Sequence, residues 1–290
     1  MDDATRVVIV NYNAGEMLLR SVASVLASLE PLRLIVADNA SADGSCEKLR
    51  HLHAGDPRLT IVENDQNLGF APAVNACALD ASEAFLLILN PDCELHEGGL
   101  ARLKAALEKD TSAALAAPKV VDREGRPLRG TLRSFPQPGK ALMTASGLWR
   151  LGRWIPLLRG VECLDEELPD QTCRAEAVSG ACMLLRTRAF RQLGGFDEGF
   201  GLHFEDLDLM YRLRSRHQFC LYVPGAMATH QPGTSSRSRP GWVHWQKHLG
   251  MQRFFHKHYA HRYSRPGRLL LQAGIWLHYA LTLPLAGLRR

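Results

Sequence analysis

A chain of 290 residues, 46% hydrophobic and 22% charged, can bury a sizeable core, which excludes a disordered chain and favours one large α/β domain with an appendage. Its seven cysteines are odd in number, scattered and mostly set in apolar sequence without a Cys-x-x-Cys, which excludes a disulfide framework in favour of reduced thiols. The net charge of +5 hides an asymmetry: Asp208 is the last acidic residue, and residues 209–290 carry thirteen Arg or Lys.

The N-terminus, Met-Asp-Asp-Ala-Thr, lacks the basic flank and apolar core of a signal peptide, so a cytoplasmic protein is expected. Residues 7–10 read as a short buried strand, 15–29 as a helix with Leu18, Leu19, Val22, Val25, Leu26 and Leu29 at helical spacing, and 32–37 as a second strand. A polar loop, 38–45, follows, with Ser45 placed to cap a helix beginning near Cys46. A strand at 59–62, a helix from about 71 to 81 and a strand from Phe85 complete four alternations, which predict a parallel sheet with right-handed crossovers. The loop Asn11-Tyr12-Asn13-Ala14-Gly15-Glu16 is no Gly-x-Gly-x-x-Gly, and no Walker A sequence occurs. Dinucleotide oxidoreductases and P-loop phosphotransferases are thereby disfavoured.

The run from Phe85 to Leu89 is apolar without alternation, as in a strand covered on both faces, and it enters Asn90-Pro91-Asp92. Pro91 cannot extend a ladder, so the chain leaves the sheet and presents Asp92 at a strand's carboxyl end. Ligands bind at that rim in open α/β sheets, and a hard oxygen there suits Mg²⁺ or Mn²⁺ held against a diphosphate. A turn in which Asp92 only caps the next segment would use the same residues. Residues 122–176 are mixed in composition, are left without assigned elements, and could cover an acceptor groove. Residues 177–186 read as a strand, followed by a short helix and a glycine-rich loop at 194–203. Leu207, Met210, Tyr211 and Arg214 then fall at helical spacing, placing Glu205 and Asp206 in a first turn where the macrodipole favours carboxylates.

The basic tail seeks an anionic surface, either nucleic acid or the cytoplasmic leaflet. Its aromatic residues, among them Trp242, Trp245, Trp276 and Tyr279, favour a lipid headgroup zone over nucleic acid. Residues 269–288 are largely apolar but interrupted by Gln272, His278 and Pro284, so an interfacial helix is expected in preference to a span. A helix packed on the domain or on a partner subunit fits the same composition. His244 and His248 have metal-compatible spacing, but the Glu of His-Glu-x-x-His is missing, so a surface helix is expected there instead of zinc.

Several short motifs in order resemble a family 2 glycosyltransferase of the GT-A fold, and more narrowly its rhamnosyltransferase-like group that builds cell-surface polysaccharides. They are Val7-Val-Ile-Val-Asn-Tyr-Asn13, Val36-Ala-Asp-Asn-Ala-Ser-Ala-Asp-Gly-Ser45, Asn67-Leu-Gly-Phe-Ala71 with Asn75, Leu89-Asn-Pro-Asp92, Val178-Ser-Gly-Ala-Cys-Met183, Gly194-Gly-Phe-Asp-Glu198, Phe204-Glu-Asp-Leu-Asp208 and His230. The resemblance covers about residues 6–235. It implies an α/β, Rossmann-like domain with a mostly parallel central sheet and helices on both faces. The expected catalytic domain is 1–235, with a nucleotide-sugar half at 1–121 and an acceptor half at 122–235, followed by a basic, amphipathic, helical segment at 236–290 that associates with membrane or packs.

By the same resemblance, a dTDP- or UDP-sugar donor, Mg²⁺ or Mn²⁺, and inversion at the anomeric carbon are expected. Asp38 would accept from the pyrimidine N–H, Asn11, Tyr12 and Asn13 would line the nucleotide, and Asn67 and Gly69 would approach the ribose and diphosphate. Asn75 and Asn90 would share that rim, with an amide bonded to a loop as the other role for Asn75. Most of the wider family carries Asp-x-Asp at the metal turn; here Asn90 replaces the first acid, leaving Asp92, with His230, diphosphate oxygens and water, to hold the metal, a purely structural role being the other reading of His230. Asp206 is the expected base, Glu205 orients the acceptor or shares in catalysis, Asp208 is acceptor-orienting or structural, and Asp197 contacts the acceptor. A Gln-x-x-Arg-Trp motif is absent, so transfer should be non-processive. The expected activity moves one sugar, with rhamnose from dTDP-rhamnose the leading candidate, onto a lipid-linked saccharide at the inner face of the membrane. The alternative is a non-catalytic membrane- or nucleic-acid-binding module on a degenerate transferase fold; joint retention of Asp38, Asp92 and Asp206 favours the enzyme. The sequence leaves open whether copies of the chain associate.

Overall fold

The computed structural model describes residues 2–152, 154–155, 160–161, 168–231 and 240–286. The first ninety residues follow the alternation read from the sequence: β1 (Asp2–Asn11), α1 (Glu16–Leu26), β2 (Leu32–Asp38), α2 (Ser45–Leu52), β3 (Leu59–Glu63), α3 (Phe70–Ala78) and β4 (Glu83–Leu89). These strands are parallel, in the order β3-β2-β1-β4. Val8, Val10, Leu86 and Ile88 face one apolar cluster and Val7, Ile9, Leu87 and Leu89 the other, which is why β1 and β4 carry no polar alternation.

The chain continues through β5 (Cys93–Leu95), α4 (Gly99–Lys109), β6 (Ala113–Val121), β7 (Leu132–Arg133), α5 (Pro138–Ser146), β8 (Cys173–Ala175), β9 (Ala177–Val178), β10 (Cys182–Arg186) and α6 (Thr187–Gln192). Then come α7 (Glu205–Arg214), β11 (Phe219–His230), α8 (Pro240–His258) and α9 (Arg265–Ala286). The sheet extends as β4-β10-β6-β11-β5, with β8 also on β11, and β7 pairs with β9 in a separate ribbon. β10 runs antiparallel between β4 and β6, while β11 is parallel to β6. The result is a mixed, mostly parallel sheet.

Four local expectations are corrected. The first helix stops at Leu26, so Leu29 lies beyond it and is fully exposed. Residues 177–186 are two strands, not one: β9 leaves the main sheet to pair with β7, and Ser179-Gly180-Ala181 makes the step to β10. Ser45 does not cap α2; left-handed Gly44 precedes the helix and Ser45 is its first residue, with its hydroxyl 2.6 Å from Asp43 Oδ1. Residues 122–176, unassigned from sequence, contain β7, α5 and β8. The remainder of that expectation, at 153, 156–159 and 162–167, lies outside the described residues, as do Cys163, the expected boundary at 235/236 and the last four residues. The six described cysteines are unpaired, and five are buried.

α8 is part of the core: its Phe254 and Phe255, with Tyr259 and Ala260 after it, join the cluster that holds Leu207 and Met210 of α7. A fully buried carboxylate ties the two helices. Asp208 meets Arg212 Nε at 2.7 Å one turn along α7, and Lys257 Nζ at 2.8 Å and His258 Nε2 at 2.7 Å on α8. Burial would raise its pKa, but the bonds from His258, Arg212 and Lys257 outweigh that and hold it below the usual carboxylate range. Asp208→Ala, which leaves those groups facing an uncompensated cavity, should cost about 3–5 kcal/mol of unfolding free energy in chemical denaturation, with α8 exchanging its amide hydrogens faster.

Candidate active site

Parallel strands deliver their last residues to one edge of the sheet, and the expected site residues gather there in three corners. In the first, Asn11 ends β1 and Asp38 ends β2, paired across the ladder. Asn11 is fully buried, and its amide NH₂ is shared among Asp38 Oδ1 at 2.7 Å, Ser41 Oγ at 3.0 Å and Ser45 Oγ at 3.0 Å. Asp38 Oδ2 accepts from the Ser41 N–H at 3.0 Å. Asn11 therefore fastens Asp38 and turns no polar atom to the rim. Tyr12 is exposed, and Asn13, left-handed at φ 52°, accepts the Ala42 N–H at 2.8 Å and closes the loop over α2. Buried Asn39, which the sequence reading passed over beside Asp38, gathers Asn67 Oδ1 at 3.2 Å, the Gly69 carbonyl at 3.1 Å and the Asn64 amide at 3.0 Å. Gly69 takes φ 88° at the entry to α3.

Asn75 takes the second of the two roles expected of it, an amide bonded to a loop. Its NH₂ donates to the Phe196 carbonyl and Glu198 Oε1, both at 2.9 Å, and its oxygen accepts the Phe196 N–H at 2.8 Å. A Cβ at Gly195 would collide with that amide, so the glycine is what lets the loop close on α3.

The second corner follows β4. Asn90 N–H donates to the Ala181 carbonyl at 2.9 Å, and its own carbonyl accepts from Cys93 N at 3.1 Å. Because His230 at the end of β11 pairs in register with Cys93, its Nε2 stands 3.1 Å from Asp92 Oδ1, and Gln231 N–H donates to the Asp92 carbonyl at 3.0 Å. One carboxylate oxygen and one imidazole nitrogen suit Mn²⁺ or a similar ion. Among the described residues no group of three His, Cys, Asp or Glu is arranged to hold a metal, so these two donors fit an ion whose remaining ligands come from diphosphate and water.

The third corner is the start of α7. Asp206 Oδ1 accepts the Leu207 N–H at 2.8 Å and Oδ2 is paired with Arg133 of β7. Gly180 supplies the room: a Cβ there would stand 2.6 Å from Asp206 Oδ2. Two consecutive non-glycine residues, His203 and Phe204, are left-handed, at φ 65° and 72°, immediately before α7. Such a turn is costly and persists only under external restraint; here Phe204 packs on Phe254, and Gly250 of α8 leaves space for the turn, since a Cβ there would lie 2.9 Å from the Phe204 ring. Asp197 is held by Arg253 at 2.7 Å and Lys257 at 2.6 Å. Burial opposes its ionisation, yet those bonds and the Gly199 N–H keep its pKa far below the usual carboxylate range. An open polar cavity of about 650 Å³ lies between this loop and α8, lined by Asp197, Gly201, Gln246, Arg253 and His256. Arg133 and Gly180 were not singled out from sequence; an arginine in mixed composition and a glycine inside an apparent strand carry little signal of their own.

Three buried polar atoms around Asp206 lack a partner: Glu205 Oε2, His203 Nε2 and Arg133 Nε. Burial first, and then the Asp206 charge, pushes the Glu205 carboxyl up to about 8, while burial pushes His203 down to about 4.

A family model described as Glycosyl transferase family 2 matches residues 6–193. The chain belongs to that family. It is a glycosyltransferase, 30% identical over 254 residues to the N-acetylglucosaminyl-diphospho-decaprenol L-rhamnosyltransferase of Mycobacterium tuberculosis, covering 83% of this chain and 80% of the relative. It is 25% identical over 218 residues to a low-salt glycan biosynthesis hexosyltransferase of Haloferax volcanii, covering 74% and 62%. Among solved structures, GalNAc-T7 with UDP, GalNAc and Mn²⁺ superposes at a TM-score of 0.59 and 18% identity, over 87% of this chain and 49% of that one. The mannosyltransferase PcManGT of Pyrobaculum calidifontis with GDP-Man and Mn²⁺ superposes at 0.58 and 17% identity, over 99% and 73%. These likenesses show the GT-A-like fold.

Glu205 takes up a proton on folding between its ordinary value near 4.5 and about 8, so it withdraws stability as pH rises through that window. His203, ordinarily near 6.5, withdraws stability as pH falls from there to about 4. Glu205→Gln, which copies the protonated form, should raise Tm relative to the parent at pH 8 to 9, with the gain shrinking toward pH 5 in a calorimetric pH series.

Proposed function

We propose that this glycosyltransferase is inverting, metal-dependent and non-processive, and moves one sugar from a nucleotide-diphosphate donor to a lipid-linked saccharide in cell-surface polysaccharide synthesis, at the inner face of the membrane. The observation that carries the reading is the Asp92–His230 pair, 3.1 Å apart on the same sheet edge as Asp38 and Asp206. The donor is a dTDP- or UDP-sugar, with dTDP-rhamnose first to be tried; the mycobacterial relative, a rhamnosyltransferase named for a lipid diphosphate acceptor, supports both choices.

Asp38, fixed by Asn11 and Ser41, receives the base N–H, while Tyr12, Asn13, Asn67 and Gly69 border the nucleotide. Asp92 and His230 would hold Mg²⁺ or Mn²⁺, and such an ion would supply positive charge against that developing on the departing diphosphate. Asp206 accepts the acceptor hydroxyl's proton as that oxygen bonds to the anomeric carbon and the bond from the carbon to the diphosphate oxygen breaks, inverting the centre. Each carboxylate oxygen has two lone pairs, so Asp206 keeps one free beside its Leu207 bond and another beside Arg133. Arg133 also orients the carboxylate. Glu205, kept protonated at neutral pH by its surroundings, can donate its O–H to an acceptor oxygen, and the polar cavity beside Asp197 has room for the acceptor's saccharide.

Asp206→Asn should lower kcat by a factor of at least about 10³ while the calorimetric Kd for dTDP or UDP stays unchanged. His230→Ala should weaken nucleotide diphosphate binding in Mn²⁺ by about tenfold and leave the weaker binding in chelator unaltered. Turnover at the parental rate by Asp206→Asn removes it as the base, and folded protein that binds no nucleotide diphosphate with either metal overturns the donor assignment.

A further inference from the structure

α9 is built inside out. Every exposed residue between 269 and 284 is apolar, and Leu269, Leu270, Leu277 and Leu281 keep 61–73% of their surface in solvent. Three of its polar side chains turn inward onto α8. Trp276 Nε1 donates to Gln252 Oε1 at 3.1 Å, His278 Nδ1 meets His248 Nε2 at 3.0 Å, and the Thr282 hydroxyl meets His244 Nε2 at 3.0 Å. An ordinary surface helix has the reverse arrangement, with its apolar stripe toward the core. Here the stripe runs along successive turns for roughly 22 Å and has no protein partner among the described residues.

Charge selects the occupant. No acidic residue follows Asp208, Arg262 and Arg265 are exposed where α9 begins, and Trp242 and Trp245 are open at the start of α8. Exposed cations where α9 begins, and exposed tryptophans on α8 beside it, with Trp245 against Trp276 and Tyr279, match the headgroup zone of an anionic bilayer. No helix among the described residues is long and apolar enough to cross one, so α9 lies along it.

We propose that the outer face of α9 docks on an anionic bilayer, its leucines in the acyl boundary and Arg262 and Arg265 at the headgroups. This rests on the reading of a lipid-linked acceptor for its biological setting, but vesicle binding needs no turnover, so failure of the surface and failure of the transfer reaction are separately visible. The full chain is floated with phosphatidylcholine vesicles with and without phosphatidylglycerol, alongside a Leu270→Asp, Leu277→Asp double variant and Leu29→Asp, an exposed leucine elsewhere. The expected result is binding that requires phosphatidylglycerol, falls at least about tenfold in the double variant, and persists in Leu29→Asp. Nucleotide binding by the double variant, measured in parallel, should match the parent, which separates loss of the surface from loss of the fold. Binding that the double variant retains, or a lipid-free dimer that the double variant dissociates in a chain that ignores vesicles, overturns the proposal; the second would assign the stripe to another copy.

Discussion

The carboxylate of Asp208 governs how the second half of this protein is assembled. A fully buried charge costs several kcal/mol to desolvate and survives only where its oxygens are bonded. Arg212 satisfies part of that demand within α7, and the rest comes from Lys257 and His258 of α8. Once α8 is drawn in, Gly250 seats the left-handed turn at His203 and Phe204, and Arg253 crosses the Phe200 ring at 5.3 Å and reaches Asp197. The segment that presents Glu205 and Asp206 is thus braced by residues some fifty positions further along the chain.

The reversed strand β10 does comparable work on the other side. Because it enters the sheet antiparallel, its start, preceded by Ser179-Gly180-Ala181, lies at the same edge as the ends of β1, β2 and β4. Ala181 then takes the Asn90 N–H while Gly180 abuts Asp206, so one short stretch adjoins both the Asp92 corner and the Asp206 corner.

The first ninety residues were legible because each strand is an apolar run ended by a turn signal and each helix keeps a 3.6-residue spacing. The direction of β10 was not, since an apolar run records burial and not orientation. α7 could be placed from Leu207, Met210 and Tyr211, whereas the two left-handed residues before it have little local signature: neither is glycine or asparagine, and only His203 is of a type that favours that region. Asp92 and His230 are 138 positions apart, and what joins them is strand register, which only the assembled sheet fixes. Asn11 and Asn75 stood in motifs that suggested ligand contacts. An amide that bonds a ligand and one that bonds a buried carboxylate or a loop look alike in sequence. The basic tail was read as seeking an outside surface, yet Lys257 and His258 turn inward to acids of the chain itself.

The Asp208 clasp also orders events during synthesis. Asp208 leaves the ribosome unpartnered on one side, and fifty more residues must be added before His258 exists to meet it. At about 5–20 residues per second that interval is roughly 3–10 s. Throughout it the turn at His203 and Phe204 has nothing to hold it, whereas Asn11, Ser41, Asn67 and Gly69, which meet Asp38 and Asn39, all precede Asp208 in the chain. The two halves of this sheet edge therefore differ in when their supports exist: the Asp38 corner is supported from early sequence, and the Asp206 corner only once α8 has docked.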